Sequence, residues 1–408
     1  MALIEQLKDS AILQPRSAPA MRHGSRNDAF SFWKLPEAWR NTLAAEIAES
    51  ETVAENFLFE RYLPETQRRP PPNLRAYYPI KRVIPPTLRH LLNSMAVGVR
   101  RHSMFPNWPC ESALIEFWRT WMQRCLTITG VKDAWHLGFW PANFDCCVVL
   151  THDVESPAGF DRMEAMADVE ERLGFRSAWN LPLAQYPIDW KRVEQLQARH
   201  FEFGAHGLSH DGRLFRSEKD FAVLAPLLNR LAQEHGLRGF RGPSTLRRAE
   251  WIDTLDIDHD STFSDTDPFE PQPGGTCSVF PFFLGRVVEL PYSLPQDHTL
   301  THILHRNALQ IWTAKAQWIA SVGGMILVLT HPDYSGFEPF LGEYEELLKR
   351  LRMLGSVWYA LPSEVAAWWR QRAQMKLLVN NDEYVITGNE ASRACARRLS
   401  DEPLARWD

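Results

Sequence analysis

The stretch CCVVLTHDVESPAGF, residues 146–160, determines the fold class of this chain. Its first five residues are apolar, which is typical of a strand that is buried on both faces. The run ends in two acids, Asp153 and Glu155, and Pro157 then prevents the strand from continuing. A buried strand that ends in two carboxylates predicts a functional site at its carboxyl end.

Further strand-like segments follow this one and alternate with amphipathic helical patterns. They lie at residues 176–183, 201–207, 237–243, 256–263, 287–293, 324–332 and 357–361. Repeated alternation of strand and helix indicates parallel strands joined by crossover helices. The sequence therefore predicts an α/β fold, a distorted (β/α)7–8 barrel, for residues 141–372.

The segments on either side of this region have different patterns. Residues 1–140 contain helical patterns, proline-rich turns and many tryptophans but few strand signals, which predicts a mostly helical accessory region. Residues 373–408 predict a small C-terminal appendage with two short strands, KLLV and EYVITG, and a final helix.

The bulk composition argues against nucleic acid and membrane as partners. The net charge is -5, whereas a nucleic-acid-binding domain carries a basic patch or stripe. Apolar runs such as residues 325–329 are far shorter than the roughly 20 residues of a membrane-spanning helix. Charges interrupt the apolar N-terminus, unlike a signal peptide, and the six cysteines form no CxxC. We therefore expect a soluble cytoplasmic protein with reduced thiols.

The two acids that end the first strand lie where chemistry is expected. In an α/β barrel the active site lies at the carboxyl ends of the strands. Asp153 and Glu155 point to the same side of an extended segment, and two like charges held close repel unless a cation or a proton lies between them. A bound metal would meet this requirement. In the alternative interpretation, Asp153 caps the following helix and Glu155 is solvated.

Other chemically active side chains follow later strands. His206 and His210 are four residues apart, a spacing that on a helical turn lets both imidazoles bind one ion; alternatively, one lies in the core and the other on the surface. One carboxylate and two histidines suit zinc and other divalent metals and leave open coordination positions. The second carboxylate is then free to act as a base that Arg241 could hold ionised. His331 is a candidate general acid, although a single histidine after an apolar run is more often structural.

The ordered set THDVE, HGLSH, RGP, DST and LTHP resembles the motifs of the polysaccharide deacetylases, the NodB-homology or carbohydrate esterase 4 family, over residues 143–370. By this resemblance Asp153 is the catalytic base, Arg241 orients it and His331 is the general acid. A divergent branch of the family has Asp-x-Asp as its first motif. That pattern implies three ligands for one divalent metal ion, with zinc as the first expectation: Glu155, His206 and His210.

Three positions depart from the usual family motifs. Val154 stands where a second Asp is common, so the ligand role falls to Glu155, with its longer side chain. Gly207 replaces the hydroxyl residue of the second motif, and Ser244 replaces the tyrosine that usually follows Pro243. The Ser244 backbone N–H remains available to hold an oxyanion.

The resemblance implies a hydrolase that removes the N-acetyl group from an amino sugar of a polysaccharide or its biosynthetic precursor, with an N-acetylated saccharide as partner. Two alternatives stay open: hydrolysis of another small-molecule amide, and a catalytically silent carbohydrate-binding protein of exopolysaccharide assembly. Trp179 and Tyr334 are candidates for stacking on sugar rings, with core packing as the competing interpretation. Asp260 and Asp265 are candidate supporting partners of the catalytic groups.

Overall fold

The computed structural model describes residues 26–69, 105–334, 336–380 and 383–398. Within the first two ranges lie α1 (Ala29–Trp33), α2 (Ala44–Leu58), α3 (Ala113–Thr129) and the short strand β1 (Trp135–Leu137). The Asp28 carboxylate accepts the Ser31 N–H and so caps α1, and α3 ends at Gly130 in the left-handed conformation that favours glycine. The described N-terminal part is therefore built mainly from helices.

A central sheet occupies the middle of the chain. Its strands are β2 (Cys146–Asp153), β3 (Ser177–Leu181), β4 (Glu202–Ala205), β5 (Gly239–Phe240), β6 (His259–Asp260), β7 (Phe282–Leu284), β8 (Val287–Glu289), β9 (Met325–Thr330) and β10 (Val357–Tyr359). The order across the sheet is β9-β2-β3-β4-β5-β6-β8-β7, and β10 pairs with the first residues of β2. Neighbouring strands are parallel except that β7 is antiparallel to β8.

The sheet closes on itself through the residues that follow β8. The N–H groups of Ser293 and Leu294 both donate to the Leu327 carbonyl of β9 at 3.2 Å, and the Leu327 N–H donates to Ser293 Oγ at 2.9 Å. These bonds join the β8 side of the sheet to β9. The predicted α/β fold and distorted barrel are confirmed.

Helices connect the strands of the barrel. They are α4 (Pro157–Arg172), α5 (Trp190–Ala198), α6 (Glu218–Glu234), α7 (Ala249–Ile252), α8 (Ala308–Ser321), α9 (Phe337–Leu351) and α10 (Pro362–Gln374), with a π-helix at His298–Ile303. Ser156 caps α4 through its Oγ, which accepts the Gly159 N–H at 3.3 Å, and Pro157 occupies the first turn. The chain therefore leaves β2 directly after Asp153, which places the acids at the carboxyl end of the strand.

The two central strands β2 and β9 are buried along their whole lengths, which is why each begins with five apolar residues in succession. His152 of β2 faces away from the side that carries Asp153, because successive side chains of a strand alternate. Its Nε2 lies 2.7 Å from Glu170 Oε1, and the Tyr344 hydroxyl donates to the same oxygen at 2.6 Å. This buried polar network ties β2 to α4 and α9.

The structure differs from the predicted elements in three places. Strand β7 was not predicted; it forms a hairpin with β8 around Gly285, whose φ of +56° suits the turn. Strands β5 and β6 have only two residues each, so the predicted runs at 237–243 and 256–263 are largely loops.

The appendage differs from its predicted form at its end. Strands β11 (Lys376–Asn380) and β12 (Glu383–Thr387) form the expected hairpin. The prediction of a final helix is wrong for the described residues. They contain one 3-10 turn (Ala391–Arg393) and then β13 (Ala396–Arg398), which pairs antiparallel with β1. Residues 399–408 lie outside the described part. No described helix is both long enough and apolar enough to cross a membrane.

Candidate metal centre and active site

Asp153, the last residue of β2, is fixed by two neighbours from other strands. The buried Arg241, which follows β5, donates from Nη1 to Asp153 Oδ1 at 3.1 Å and to Thr151 Oγ1 at 2.9 Å. Asn180 of β3 donates to the same carboxylate oxygen at 2.9 Å. Burial, the largest single effect, would raise the pKa of Asp153, but the charges of Arg241, His206 and His331 and the hydrogen bond from Asn180 together hold the pKa below its usual range. Asp153 is therefore an ionised, oriented carboxylate.

The other acid of the strand end lies against the two histidines. Glu155, His206 and His210 each offer a ligand atom, and these atoms all lie within 4.8 Å of one another. His210 Nε2 is 2.9 Å from Glu155 Oε1. Two acceptor atoms at this distance require a proton or a cation between them. These three residues form the only cluster of this kind found among the described residues, and we call it the Glu-His-His cluster.

His206 is held in the orientation and protonation state that a metal ligand requires. Its Nδ1 lies 3.0 Å from the Arg241 carbonyl, to which an Nδ1–H donates, so Nε2 carries the lone pair. This Nε2 is buried and has no hydrogen-bond partner, which is costly for a polar atom unless a cation binds it. Burial lowers the pKa of His206 to about 4, so the imidazole is neutral at pH 7. The donor set and this orphaned nitrogen fit a divalent metal ion.

The backbone reaches the Glu-His-His cluster through loops, not through the helical turn considered for the two histidines. Residues 206–210 are irregular, and Gly207 has a φ of +70°. Gln185 bridges the two loops, because its side chain accepts the His210 N–H and donates to the Glu155 carbonyl. Asp333 Oδ2 accepts the Glu155 N–H at 2.9 Å. The sequence places Asp333 beside His331 at the end of the same strand, and so predicts it at this rim, but gives it no supporting role. Gln185 has no motif around it and was not predicted.

His331, at the end of β9, carries a positive charge beside both acids. Its Nδ1 is 2.7 Å from Asp297 Oδ1, and its Nε2 lies 4.0 Å from Asp153 Oδ2 and 3.9 Å from Glu155 Oε1. Burial alone would lower the pKa of His331, but Asp297 and the nearby acids raise it to about 10. The imidazolium can therefore donate a proton from Nε2.

The supporting acid of His331 is Asp297, not either of the two acids considered from the sequence. Asp260 accepts a hydrogen bond from Thr262, and Asp265 pairs with the buried Lys315 at 2.7 Å. Asp297 precedes the π-helix and lies 34 residues before His331 in the chain. No sequence motif marks it.

The three departures from the family motifs have structural reasons. Val154 is fully buried, and the carboxylate that meets the histidines is that of Glu155, whose Oε1 lies 2.9 Å from His210 Nε2. A Cβ at Gly207 would lie 2.8 Å from Pro243 Cγ, so a hydroxyl residue does not fit there. Ser244 adopts a left-handed φ of +53°, and its N–H points at His210 Nε2 from 3.2 Å. A backbone donor therefore faces the Glu-His-His cluster.

Replacing Gly207 by Ser is expected to lower the free energy of unfolding by about 1–3 kcal/mol, because the backbone is left-handed and Pro243 is rigid. Urea denaturation measures the change. Gly342→Ala is the matched control: its Cβ meets no atom within 4 Å in α9, so stability should stay level or rise. Equal stability of Gly207→Ser and the wild type would contradict this explanation of the glycine.

Aromatic rings border the site on the side of His331. The ring of Tyr334 lies 5.0 Å from His331, 5.2 Å from His298 and 5.1 Å from His302. Tyr334 is partly exposed. Trp179, by contrast, is fully buried and packs on His152 at 4.2 Å, so the sugar-stacking interpretation is wrong for Trp179.

Comparison with solved structures finds matches at low sequence identity. A protein described as a polysaccharide deacetylase from Mycobacterium smegmatis is 18% identical with a TM-score of 0.44, and the match covers 60% of this chain and 96% of that one. An allantoinase is 12% identical with a TM-score of 0.44, covering 56% and 92%. A carbohydrate esterase 4 pseudoenzyme from Bacillus anthracis is 15% identical with a TM-score of 0.35, covering 55% and 66%. No family model and no curated protein matches.

Fold and site together define a class of protein. It is a distorted α/β barrel that carries an arginine-bound carboxylate, an imidazolium and a Glu-His-His cluster at the carboxyl ends of its strands. Structures described as polysaccharide deacetylases are among the solved structures that match it.

Proposed function

We propose that this protein is a hydrolase that removes the N-acetyl group from an amino sugar of a polysaccharide or its biosynthetic precursor. One observation carries the proposal: Asp153 Oδ2 and His331 Nε2 lie 4.0 Å apart beside the Glu-His-His cluster. Amide hydrolysis requires a base that activates water and an acid that protonates the departing amine. Asp153 is the proposed base and His331 the proposed acid, and these roles are supported by the lowered pKa of Asp153 and the raised pKa of His331.

Glu155, His206 and His210 would hold a divalent metal, with zinc as the first candidate. Such an ion supplies Lewis acidity, which acidifies water and polarises a carbonyl group. The chain itself fixes these ligands: the Arg241 carbonyl sets the His206 tautomer, and Gln185 links the loops of the other two.

Asp153 acts as the base in this proposal. Its Oδ1 is occupied by Arg241 and Asn180, whereas Oδ2 faces His206 at 3.8 Å and His331 at 4.0 Å. Oδ2 takes a proton from water as the water oxygen attacks the acetyl carbonyl carbon. The Arg241 charge keeps the carboxylate in place throughout.

The acetyl oxygen gains negative charge in this step, and the Ser244 N–H donates to it. A fixed donor aimed at a developing oxyanion stabilises a transition state by about 3–4 kcal/mol. His331 then donates its Nε2 proton to the sugar nitrogen as the C–N bond breaks, and acetate and a free amine leave. Asp297 holds the imidazole during the transfer.

The chemistry of the rim supports a saccharide as substrate. Tyr334 is partly exposed, and its ring lies 5.0 Å from that of His331, the proposed general acid. The apolar faces of sugar rings pack on such aromatic faces. The imidazoles of His298 and His302 lie around it and add hydrogen-bonding groups.

The test is release of acetate from N-acetylglucosamine oligosaccharides by the zinc-reconstituted protein, followed together with the appearance of primary amine. We expect equal amounts of both products. Turnover of small amides such as allantoin without action on sugars would favour the small-molecule alternative. Oligosaccharide binding without acetate release, in a protein that holds its metal, would favour the silent sugar-binding alternative.

A further inference from the structure

A cavity of about 170 Å³ shares no lining residue with the Glu-His-His cluster, and its walls come from both the accessory helices and the barrel. Four cationic side chains line it, and no carboxylate does: Arg26, Lys34, Arg40 and Arg372. Aromatic side chains from both parts complete its walls, among them Phe32, Trp118 and Trp369. We call it the cationic cavity.

Two of these cations are buried without an acidic partner. Lys34 is 8% exposed and Arg372 is 2% exposed. Lys34 Nζ donates to the Ala373 carbonyl at 2.7 Å, and Arg372 donates from Nε and Nη2 to three backbone carbonyls. Neither pairs with a carboxylate of the described chain. Buried charges are normally paired, so these two leave an excess of positive charge.

The acids nearby are engaged elsewhere and do not line the cavity. Glu37 pairs with Arg40 at 2.9 Å, and Asp28 caps α1 through Ser31. Burial, with the charge of Arg372 added to it, lowers the pKa of Lys34 to about 8. Burial likewise lowers the pKa of Arg372 to about 9. A pKa lowered by burial, at both Lys34 and Arg372, is expected where no nearby acid compensates the buried positive charge.

The backbone conformation of Lys34 also supports a role for its ammonium group in the cavity. Lys34 ends α1 with a φ of +52°, a left-handed position at which glycine is free of strain. A lysine there keeps an ammonium group beside the cavity at the cost of a strained backbone. The described hydrogen bonds of Arg372 come from Nε and Nη2, so its Nη1 can donate to a ligand.

We propose that the cationic cavity binds a small anion, a carboxylate or a phosphate, that carries an apolar group. Arginine recognises both anions through its planar fork of N–H donors, and lysine adds a point charge. The aromatic walls suit the apolar part. Because Lys34 belongs to α1 and Arg372 to α10, the anion would join the accessory helices to the barrel. This inference does not depend on the proposed deacetylase activity.

Thermal unfolding of the full chain tests the proposal, with benzoate and inorganic phosphate as probes and sodium chloride at equal ionic strength as reference. We expect at least one probe to raise the unfolding midpoint saturably, by about 3 °C or more. In Lys34→Met that rise should disappear. The ligand-free midpoint should stay level or rise, because an unpaired buried charge is replaced by an apolar side chain.

Controls make each outcome decisive. Lys191→Met removes an exposed cation from α5 and should keep the full rise. If Lys34→Met does not fold, Arg40→Met, at a partly exposed position, replaces it and should reduce the rise. An equal rise in wild type and in the cavity variants would overturn the proposal, as would no rise with either probe. If Lys34→Met lowers the ligand-free midpoint and neither probe changes the midpoint of the wild type, the role of Lys34 is only its hydrogen bond to the Ala373 carbonyl, and the proposal is wrong.

Discussion

Replacing Asp153 by Asn is expected to lower kcat for acetate release by about 10³-fold while the protein keeps its metal. The amide is nearly isosteric and can still accept from Arg241 and Asn180, so the geometry of the strand end is preserved. It cannot take a proton from water. The loss therefore falls on kcat, since a group that acts only in the transition state has been removed.

The same substitution also affects folding, and the experiment has to separate the two effects. Arg241 is fully buried, so loss of its partner charge should lower the free energy of unfolding by about 3 kcal/mol. Activity is measured well below the unfolding midpoint of the variant, with metal content determined on the same sample. Asp168→Asn, at an exposed position of α4, is the matched control and should keep full activity. Retained hydrolysis in Asp153→Asn would show that another group is the base.

The barrel and the meeting of its polar residues could be predicted because both follow from simple periodicity. A strand that is buried on both faces is mostly apolar, and the first five residues of both β2 and β9 are apolar. Parallel strands bring their carboxyl ends to one rim, so Asp153, His206 and His331 approach one another although many residues separate them in the chain. The roles of these residues stay predictions, but their proximity follows from the topology.

The supporting residues could not be predicted, because irregular backbone positions them. Asp297 reaches His331 only through the loop that follows β8 and closes the barrel. Gln185 lies in a loop after β3 and has no motif around it. Trp179 was a candidate for sugar stacking because it lies near a strand end, but it packs on His152 on the opposite side of the sheet from Asp153. The side of a strand is decided by register, and a one-residue shift reverses it.

Removing one histidine of the Glu-His-His cluster is expected to abolish metal binding and, with it, activity. His206 supplies an orphaned, correctly oriented Nε2, so His206→Ala removes a direct ligand. Loss of a residue that merely supports a ligand weakens metal affinity by about 10–100-fold, and loss of the ligand itself should exceed this. Zinc content after dialysis, measured by mass spectrometry, should fall from near one per chain to near zero.

Two further variants identify which side chains act as ligands. Glu155→Ala should also lose the metal, since its Oε1 lies 2.9 Å from His210 Nε2 and belongs to the same cluster. His235→Ala, which removes a histidine stacked on Trp190 away from the site, should retain it. Metal lost in His206→Ala but kept in Glu155→Ala would remove Glu155 from the ligand set and make Asp153, whose Oδ2 lies 3.8 Å from His206 Nε2, the next candidate for an acidic ligand. The loss of metal in both variants, together with its retention in Asp153→Asn, would separate the acid that binds the metal from the acid that takes the proton. The short Asp-to-Glu spacing at the end of β2 would then serve both functions, because residues two apart on an extended chain share one side.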